Sequence, residues 1–239
     1  MDVVVLRWRA RRSDHSPARL GVTARPNLLA GEDLPPPPVQ KRSADRRSRL
    51  KSAAIALFAA KGYEGTSIEE VAGQAGVAVG GFYQHFRSKR QLLLALMDEF
   101  LERMSGLQLR PGGGPGVRAG LHSLLSHSFS MDVQYLGVYR AWQEAVLADP
   151  ALVAREQEIH AWTTARVLGV LQLLQGLPGA RPGVDITALA PVLDAFFWSL
   201  IAQAVQLPRV ELDLWIESAT HLVYHALFSD NPADCGGST

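Results

Sequence analysis

The chain has 239 residues, enough for one large domain or two modest ones with a substantial buried core. Its residues are 47% hydrophobic and its mean hydropathy is +0.03, which is typical of a globular protein. No stretch of eighteen apolar residues lacks a charge or a Pro or Gly break, so we expect no membrane span, and we expect no secretory signal in the first twelve residues. Cys235 is the only cysteine, which excludes an internal disulfide and favours a cytoplasmic protein.

The net charge of +1 hides a strong asymmetry along the chain. Residues 41–91 contain ten Lys or Arg against four acids, a local charge of +6. Residues 92–239 contain eight Arg against fifteen acids, a local charge of −7, and residues 1–40 carry +2. A basic segment on an acidic body is the distribution expected when one end of a protein meets a polyanion.

The two ends of the chain lack helical or strand periodicity. Residues 1–40 contain scattered Pro and Gly and the run Pro35–Pro38, so we expect a disordered or flexible arm over residues 1–44. Its arginines leave two interpretations open: an arm that touches DNA phosphates, or a stretch that precedes the true start of the protein. Residues 230–239 are expected to form a disordered tail.

Helical spacing of apolar residues begins after Asp45 and predicts a first helix that ends at Gly62. Thr66 and Glu69 are spaced as an N-cap and its capping-box partner, which predicts the start of a second helix. Gly76 allows a sharp turn before a third helix across Val79–Phe86. Ser88 is expected to cap a fourth helix that continues to about residue 106.

The rest of the chain also follows helical spacing. After a flexible joint at Arg110–Gly116, the pattern predicts five helices, roughly at 117–130, 133–148, 151–176, 186–206 and 211–228. No alternating strand pattern occurs. The fold class is therefore predicted to be all-α, with a three-helix helix-turn-helix domain over residues 45–90 and a helical domain over residues 91–229.

Two short helices joined by a glycine-containing turn, behind a supporting helix, are typical of a DNA-binding unit. The segment AIALFAAKGYEGTSIEEVAGQAGVAVGGFYQHFRSKRQLLLAL resembles the N-terminal domain of the TetR family of bacterial regulators, and the match covers about residues 46–95. The resemblance implies a homodimer that binds double-stranded DNA at a palindromic operator. It also implies that residues 45–90 are a DNA-binding domain and that residues 91–229 are a helical ligand-binding and dimerisation domain, which takes a small-molecule effector.

The same resemblance implies which residues meet DNA. Thr66 is expected to bond a phosphate at a helix N-terminus, and Tyr83 and His85 resemble a phosphate-contacting pair. This family usually carries a small hydroxyl residue at position 81, and its replacement by Gly shifts sequence readout toward Gln84, Tyr83 or DNA shape. Core packing of Tyr83 and a solvated His85 are the alternatives. The full predicted set is Thr66, Val79, Gly80, Gly81, Tyr83, Gln84, His85 and Lys89.

Aromatic residues concentrate in residues 117–176, where three of them share one predicted helix face. A pocket lined by aromatic and a few polar groups is the composition of a small-molecule site, and core packing is the alternative. The candidate ligand-binding residues are His127, Tyr135, Tyr139, Trp142, Gln143 and Trp162.

The last two predicted helices carry apolar stripes wider than one neighbour covers. By the family resemblance they form a dimer interface, and burial within one monomer is the alternative. The candidate interface residues are Phe196, Phe197, Leu200, Ile201, Trp215 and Leu222. Glu217, His221 and His225 share a helical spacing suited to a metal, but no second motif supports a metal site, so we expect no metal and no cofactor.

These features together predict a transcriptional regulator, with repression by an operator-bound dimer and release by a small, largely apolar or aromatic ligand. A transcriptional activator and a ligand-independent architectural DNA binder are alternatives. An all-helical enzyme is a remote alternative, because the sequence contains no nucleophile elbow, nucleotide loop or metalloprotease motif.

Overall fold

The computed structural model describes residues 24–37, 39–106, 116–130, 133–204 and 207–228. Within these ranges the regular structure is helical, apart from an isolated antiparallel bridge between Ala180 and Phe228, and the all-α prediction is confirmed. The predictions for residues 1–23, for residues 110–115 of the joint and for the tail at 230–239 lie outside the described residues. The helices are α1 Lys41–Lys61, α2 Ile68–Gln74, α3 Val79–Tyr83, α4 Lys89–Ser105, α5 Val117–Ser130, α6 Val133–Ala148, α7 Pro150–Gln175, α8 Ile186–Ala204 and α9 Arg209–Leu227.

Helix α4 joins two parts of the molecule, which we call the head (α1–α3) and the body (α5–α9). Seven consecutive residues, Gln91–Met97, are buried, so the helix is covered on every side rather than along one stripe. Phe58 of α1, Leu92 of α4 and Trp142 of α6 belong to one continuous cluster of buried residues. The head and the body therefore share a core instead of folding around separate ones.

Helix α6 also ties the body to the head. Gly137 of α6 lies so close to Ala59 of α1 that a side chain at position 137 would approach the Ala59 Cβ to 2.6 Å. Further along α6, the Glu144 Oε2 accepts a hydrogen bond of 2.6 Å from the backbone N–H of Tyr63, in the turn that follows α1. The body thus holds the C-terminal end of α1 and the turn that follows it.

The structure corrects the prediction of a flexible arm for residues 24–37 and for residues 41–44, which form the first turn of α1. Leu28 is fully buried and belongs to the same cluster as the core of α4. Its backbone N–H donates to the Asp98 Oδ1 of α4 at 3.1 Å, and the Arg25 guanidinium pairs with the same carboxylate at 2.8 Å. We call residues 25–33 the strap, because they lie across α4 and reach α7.

The other contacts of the strap are with α4 and α7. The Arg155 guanidinium of α7 donates to the carbonyl oxygens of Leu28 at 2.7 Å and of Ala30 at 3.0 Å. Glu32 pairs with Arg90 of α4 at 2.9 Å. One buried leucine and several charge-assisted hydrogen bonds offset the entropy lost on ordering this short segment, which its lack of periodicity could not reveal.

The body contains a half-buried ionic network among α6, α7 and α8. The His160 Nδ1 lies 3.1 Å from the Asp194 Oδ2, and its Nε2 lies 3.2 Å from the Glu156 Oε1. The other Glu156 oxygen accepts from the Trp142 indole N–H. Hydrogen bonds to Asp194 and Glu156 raise the pKa of His160 to about 9, so the ring is a cation between two carboxylates at neutral pH.

Helix α8 is the one helix of the described chain that is long and apolar enough to cross a membrane by length and composition alone. Leu193, Trp198 and Ile201 are buried in the two apolar clusters of the body. Helix α8 also packs along α7 and α6. A single apolar helix that packs in this way is weak evidence for a membrane span.

We expect Leu28→Ala to lower the free energy of unfolding by about 2–5 kcal/mol, because it removes a fully buried side chain from the shared core. Urea denaturation of the full chain measures the change. Val39→Ala is the matched control, since Val39 is 98% exposed and its truncation should alter stability by less than about 0.5 kcal/mol. Equal, negligible effects of the two substitutions would contradict the docked strap.

We expect the stability contributed by His160 to depend on pH. The pKa is raised from an ordinary value of 6.5 to about 9 in the folded chain, so this contribution is complete below pH 6.5 and is lost as the pH rises through about 9. His160→Gln should therefore lower the urea midpoint at pH 6.5, and the gap from the parent should shrink towards pH 9.5. A gap that stays constant or widens with pH would contradict the ionic network.

Candidate nucleic-acid interface

Helix α2 starts one residue later than the sequence suggested. Ser67, not Thr66, is the N-cap: its hydroxyl oxygen accepts from the Glu70 N–H at 3.1 Å, and the Glu70 carboxylate accepts from the Ser67 N–H at 3.0 Å. The capping box is therefore Ser67 with Glu70 rather than Thr66 with Glu69. Thr66 is buried, and its hydroxyl donates to the Gly62 carbonyl oxygen at 2.8 Å, so it turns inward.

Helix α3 is shorter than predicted and ends at Tyr83 instead of Phe86. The Phe82 carbonyl oxygen accepts from the N–H groups of both His85 and Phe86, a tight turn that closes the helix. The rings of Phe82 and Phe86 are fully buried with centroids 5.9 Å apart, and they fix α3 to the head.

The opposite side of α3 faces solvent. Val79 is 38% exposed and Tyr83 is 46% exposed, so Tyr83 is a surface residue and its core-packing alternative is wrong. Gly80 and Gln84 are exposed as well. These four residues form one continuous outward surface, which we call the α3 face.

The two glycines of α3 differ in the space around them. A Cβ at Gly81 would come within 2.5 Å of the Val77 Cγ1, so a side chain there would require Val77 to shift. At Gly80 no atom lies within 4 Å of the corresponding position. Gly81 thus fits closely against the preceding turn, whereas Gly80 leaves the α3 face open to close approach by another molecule.

His85 is buried, with 3% of its surface exposed, so its solvated-surface alternative is wrong. Burial lowers the pKa of His85, and the charges of Arg47 and Arg46 lower it further, so the ring is neutral at pH 7. The Arg47 guanidinium lies 4.7 Å from the centre of the Phe86 ring. The buried histidine therefore supports the base of α3, and the cations beside it belong to α1.

Lys89, at the start of α4, is also engaged within the protein. Its ammonium donates to the carbonyl oxygens of Tyr63 at 2.7 Å and of Thr66 at 2.9 Å, and it lies 4.2 Å from the centre of the Tyr63 ring. It ties the N-terminus of α4 to the turn before α2. Five of the eight predicted DNA-binding residues thus lie in α3 or directly after it: Val79, Gly80, Gly81, Tyr83 and Gln84. The other three, Thr66, His85 and Lys89, are buried or bonded to other residues of the head.

The predicted ligand-binding residues do not line one cavity. Tyr139, Trp142 and Trp162 are buried within the body, as the core-packing alternative held. Tyr135 borders a cavity of about 530 Å³ between α1 and α4, whereas His127 borders another of about 380 Å³ between α5 and α9. Gln143 is exposed, and its amide donates to the Tyr139 hydroxyl at 3.2 Å.

The predicted dimer residues also divide. Leu200 and Ile201 are buried in the monomer, so for them the within-monomer alternative is correct. Phe196, Phe197 and Trp215 are partly buried against the core, and Leu222 is 49% exposed. Three further exposed apolar residues of α8 and α9 lie outside the predicted interface set, because stripes this wide do not show which side of a helix is covered. These are Val192, Val210 and Leu214.

The histidines and the acid of α9 do not converge on a metal site. Glu217 pairs with Arg118 of α5 and lies 3.5 Å from His122, while the rings of His221 and His225 pack 4.1 Å apart. In the described part of the chain no three His, Cys, Asp or Glu side chains are grouped to hold a metal ion.

Comparison with known proteins matches the head. Residues 50–96 match the sequence model described as "Bacterial regulatory proteins, tetR family". Over 99 residues the chain is 31% identical to the HTH-type transcriptional repressor KstR2 of Rhodococcus jostii (strain RHA1), a match that covers 40% of this chain and 48% of KstR2. Over 57 residues it is 39% identical to the HTH-type transcriptional regulator YerO of Bacillus subtilis (strain 168), covering 24% of this chain and 20% of YerO.

The match to these two relatives spans less than half of the length of either. The similarity of fold extends much further. The structure of SmeT in complex with triclosan superposes on 78% of this chain and 93% of its own with a TM-score of 0.61, at 23% identity. The matched segment contains α2, α3 and the start of α4, so this part of the chain is similar to the TetR family of bacterial regulatory proteins, and the relatives that share it are transcriptional regulators.

Proposed function

We propose that the protein is a dimeric transcriptional repressor that binds a palindromic operator through α3 and leaves it when a small molecule binds the body. The observation that supports this most directly is the α3 face: Val79, Gly80, Tyr83 and Gln84 are exposed, although their helix is anchored by buried phenylalanines. A helix presented in this way fits the major groove. The repressor named among the relatives supports repression rather than activation.

The charges around the α3 face suit a polyanion. The segment 41–91 carries the local charge of +6, and Arg49 of α1 lies beside the turn at Gly76, with its Nη1 3.3 Å from the position that a Cβ there would take. Such cations attract phosphates without reading sequence. Sequence readout then falls to Gln84 and Tyr83, with Gly80 allowing the backbone to lie close to the bases.

The dimer that we propose uses the outer faces of α8 and α9. Val192, Leu214 and Leu222 are between 49% and 63% exposed, an unusual amount of apolar surface for two neighbouring helices. Covering it with the same surface of a second chain would form a two-fold interface. Two chains would then present two α3 faces to successive turns of DNA, which is what a palindromic site requires.

Ligand control is proposed to act through α4. Lys89 at one end of this helix holds the turn before α2, and Phe100 further along packs edge-on against Trp198 of α8, with ring centroids 6.2 Å apart. A ligand that displaces the body residues around Trp198 would therefore move α4 and the α3 face with it. Ligand binding would then weaken the affinity for DNA, and DNA binding would weaken the affinity for the ligand by the same factor. The SmeT complex with triclosan supports a small aromatic ligand for this fold. A DNA-binding regulator of this kind acts in the cytoplasm.

We expect Gln84→Ala to weaken binding of the full chain to its operator, obtained by selection from random duplex DNA, by about 1–3 kcal/mol. This is the usual value of a side-chain contact to a base edge. Fluorescence anisotropy at fixed salt measures the affinity. Gln157→Ala is the matched control, because Gln157 is exposed on α7, in the body, and should leave affinity unchanged. Unchanged affinity in the Gln84 variant would remove this residue from the interface.

We expect Leu222→Arg to convert the dimer to a monomer, since it places a charge in the apolar surface that two chains would share. Light scattering at micromolar concentration gives the mass. Leu147→Arg is the control: Leu147 is 90% exposed but lies on α6, outside the proposed interface, and its variant should stay dimeric. A monomeric parent chain, or a dimeric Leu222 variant, would refute the interface.

A further inference from the structure

The ionic network of the body contains a buried carboxylate that is only half satisfied. Asp194 is 3% exposed, and its Oδ2 is bonded to His160. Its Oδ1 has no hydrogen-bond partner among the described residues. A buried charged oxygen without a donor is costly, and native structures usually supply a donor from protein, water or ligand.

The group that partners Asp194 is also the part of the network nearest to solvent. The side chain of His160 is 37% exposed, whereas that of Asp194 is 4% exposed and that of Glu156 is 19% exposed. Because the imidazole is the most exposed of the three groups and bonds the Asp194 carboxylate, it covers that carboxylate on the side nearer to solvent. Outward rotation of the imidazole would therefore uncover a small anionic position at Asp194.

The walls of this position are aromatic. The Trp198 ring lies edge-on to His160 with centroids 5.7 Å apart, and it packs against Tyr139 at 4.3 Å. The Trp198 indole N–H already donates to the Thr163 hydroxyl at 3.2 Å, so it is not free to satisfy Asp194. Aromatic faces beside a buried carboxylate are the surroundings that favour an organic cation.

We propose that Asp194, with Glu156 beside it, is the anionic end of an effector site that His160 fills in the resting protein. The effector is an aromatic cation with at least two N–H donors, such as an aryl amidine or a primary aryl-alkyl amine. One N–H replaces the bond from His160 to Oδ2, and a second bonds the unsatisfied Oδ1. The aromatic portion takes the place of the His160 ring, which lies beside Trp198 with centroids 5.7 Å apart.

This site is connected to the head by direct contacts. Asp194 and Trp198 are four residues apart on α8 and therefore share one face of the helix. Trp198 touches Phe100 of α4, and α4 holds the turn before α2 through Lys89. The inference rests on the proposed ligand response, for which it names the chemical class and the position of the ligand.

The pH dependence of binding follows from the competition between two cations. The charged groups that act on His160 are Asp194 from α8 and Glu156 from its own helix, and burial together with the same two carboxylates raises the pKa of Tyr139 of α6. Below its pKa of about 9 His160 is charged and competes with the ligand for the carboxylates. Above that pH the neutral ring competes less, so a ligand that remains charged binds more tightly.

Benzamidine and benzamide form a suitable pair of probes, since they have nearly the same shape and differ in charge. We expect isothermal titration of the full chain to show binding of benzamidine and none of benzamide, with affinity for benzamidine rising between pH 7 and pH 9.5. His160→Gln should bind benzamidine at least about tenfold more tightly than the parent at pH 7, because the competing cation is gone. Asp194→Asn should abolish binding, and Glu158→Gln, an exposed acid on α7, should not change it.

Equal binding of the two probes, or a His160→Gln variant with unchanged affinity, would overturn the site even if the Asp194 variant failed to fold. DNA affinity of the ligand-free chain is measured on the same samples. Intact DNA binding without benzamidine binding would refute the effector site and leave the proposed DNA-binding function standing. Benzamidine binding that is lost in Asp194→Asn and strengthened in His160→Gln would support the site.

Discussion

Helix α4 is enclosed by the head, the body and the strap. The burial of α4 fixes the positions of these three parts relative to one another. Gln91–Met97 face protein in every direction, so a rotation of α4 would expose apolar surface on one side while crowding another. Packed interiors of this kind respond to a ligand by moving between discrete arrangements rather than by gradual bending. A helix with its first residue at the DNA-binding turn and its later residues against Trp198 is therefore well placed to carry a change in the body to α3.

The strap adds a constraint on the same helix. Arg25 and the Leu28 N–H bind Asp98 of α4, while Arg155 of α7 binds the strap carbonyls. The strap thus connects α4 to α7 by polar contacts, in addition to the apolar packing of Leu28 in the shared core. Any displacement of α4 relative to α7 would stretch these charge-assisted bonds, so the strap resists the movement that we propose for release from DNA.

Most of the fold could be predicted from the sequence, because long amphipathic helices with caps and Gly or Pro stops leave strong periodic signals. The boundaries of α4, α5 and α6 agree closely with the pattern, and Ser88 caps α4 as expected. The errors lie where short-range signals compete or are missing. Thr66 and Ser67 are both suitable caps, and only the inward hydrogen bond of Thr66 decides between them. The sequence of the strap shows no helical or strand periodicity, because a single buried leucine anchors it.

The candidate sites were less predictable, because the side of a helix that is covered depends on neighbours distant in sequence. His85 and Lys89 were expected at the surface, but the first is buried over α1 and the second is held by two carbonyl oxygens. Asp194 was not singled out, since one acid in an apolar helix has no distinctive spacing. Its significance appears only when His160 and Glu156 of α7 are placed beside it.

The central claim is that this chain reads DNA as a dimer through the α3 face. Selection from a random pool of duplex DNA by the full chain, followed by sequencing of the bound fraction, tests it most directly. The account predicts enrichment of an inverted repeat with half-site centres about one helical turn apart, lost when Gln84 and Tyr83 are both replaced by alanine. Failure to enrich any sequence, or enrichment of the same repeat by that double variant, would contradict it.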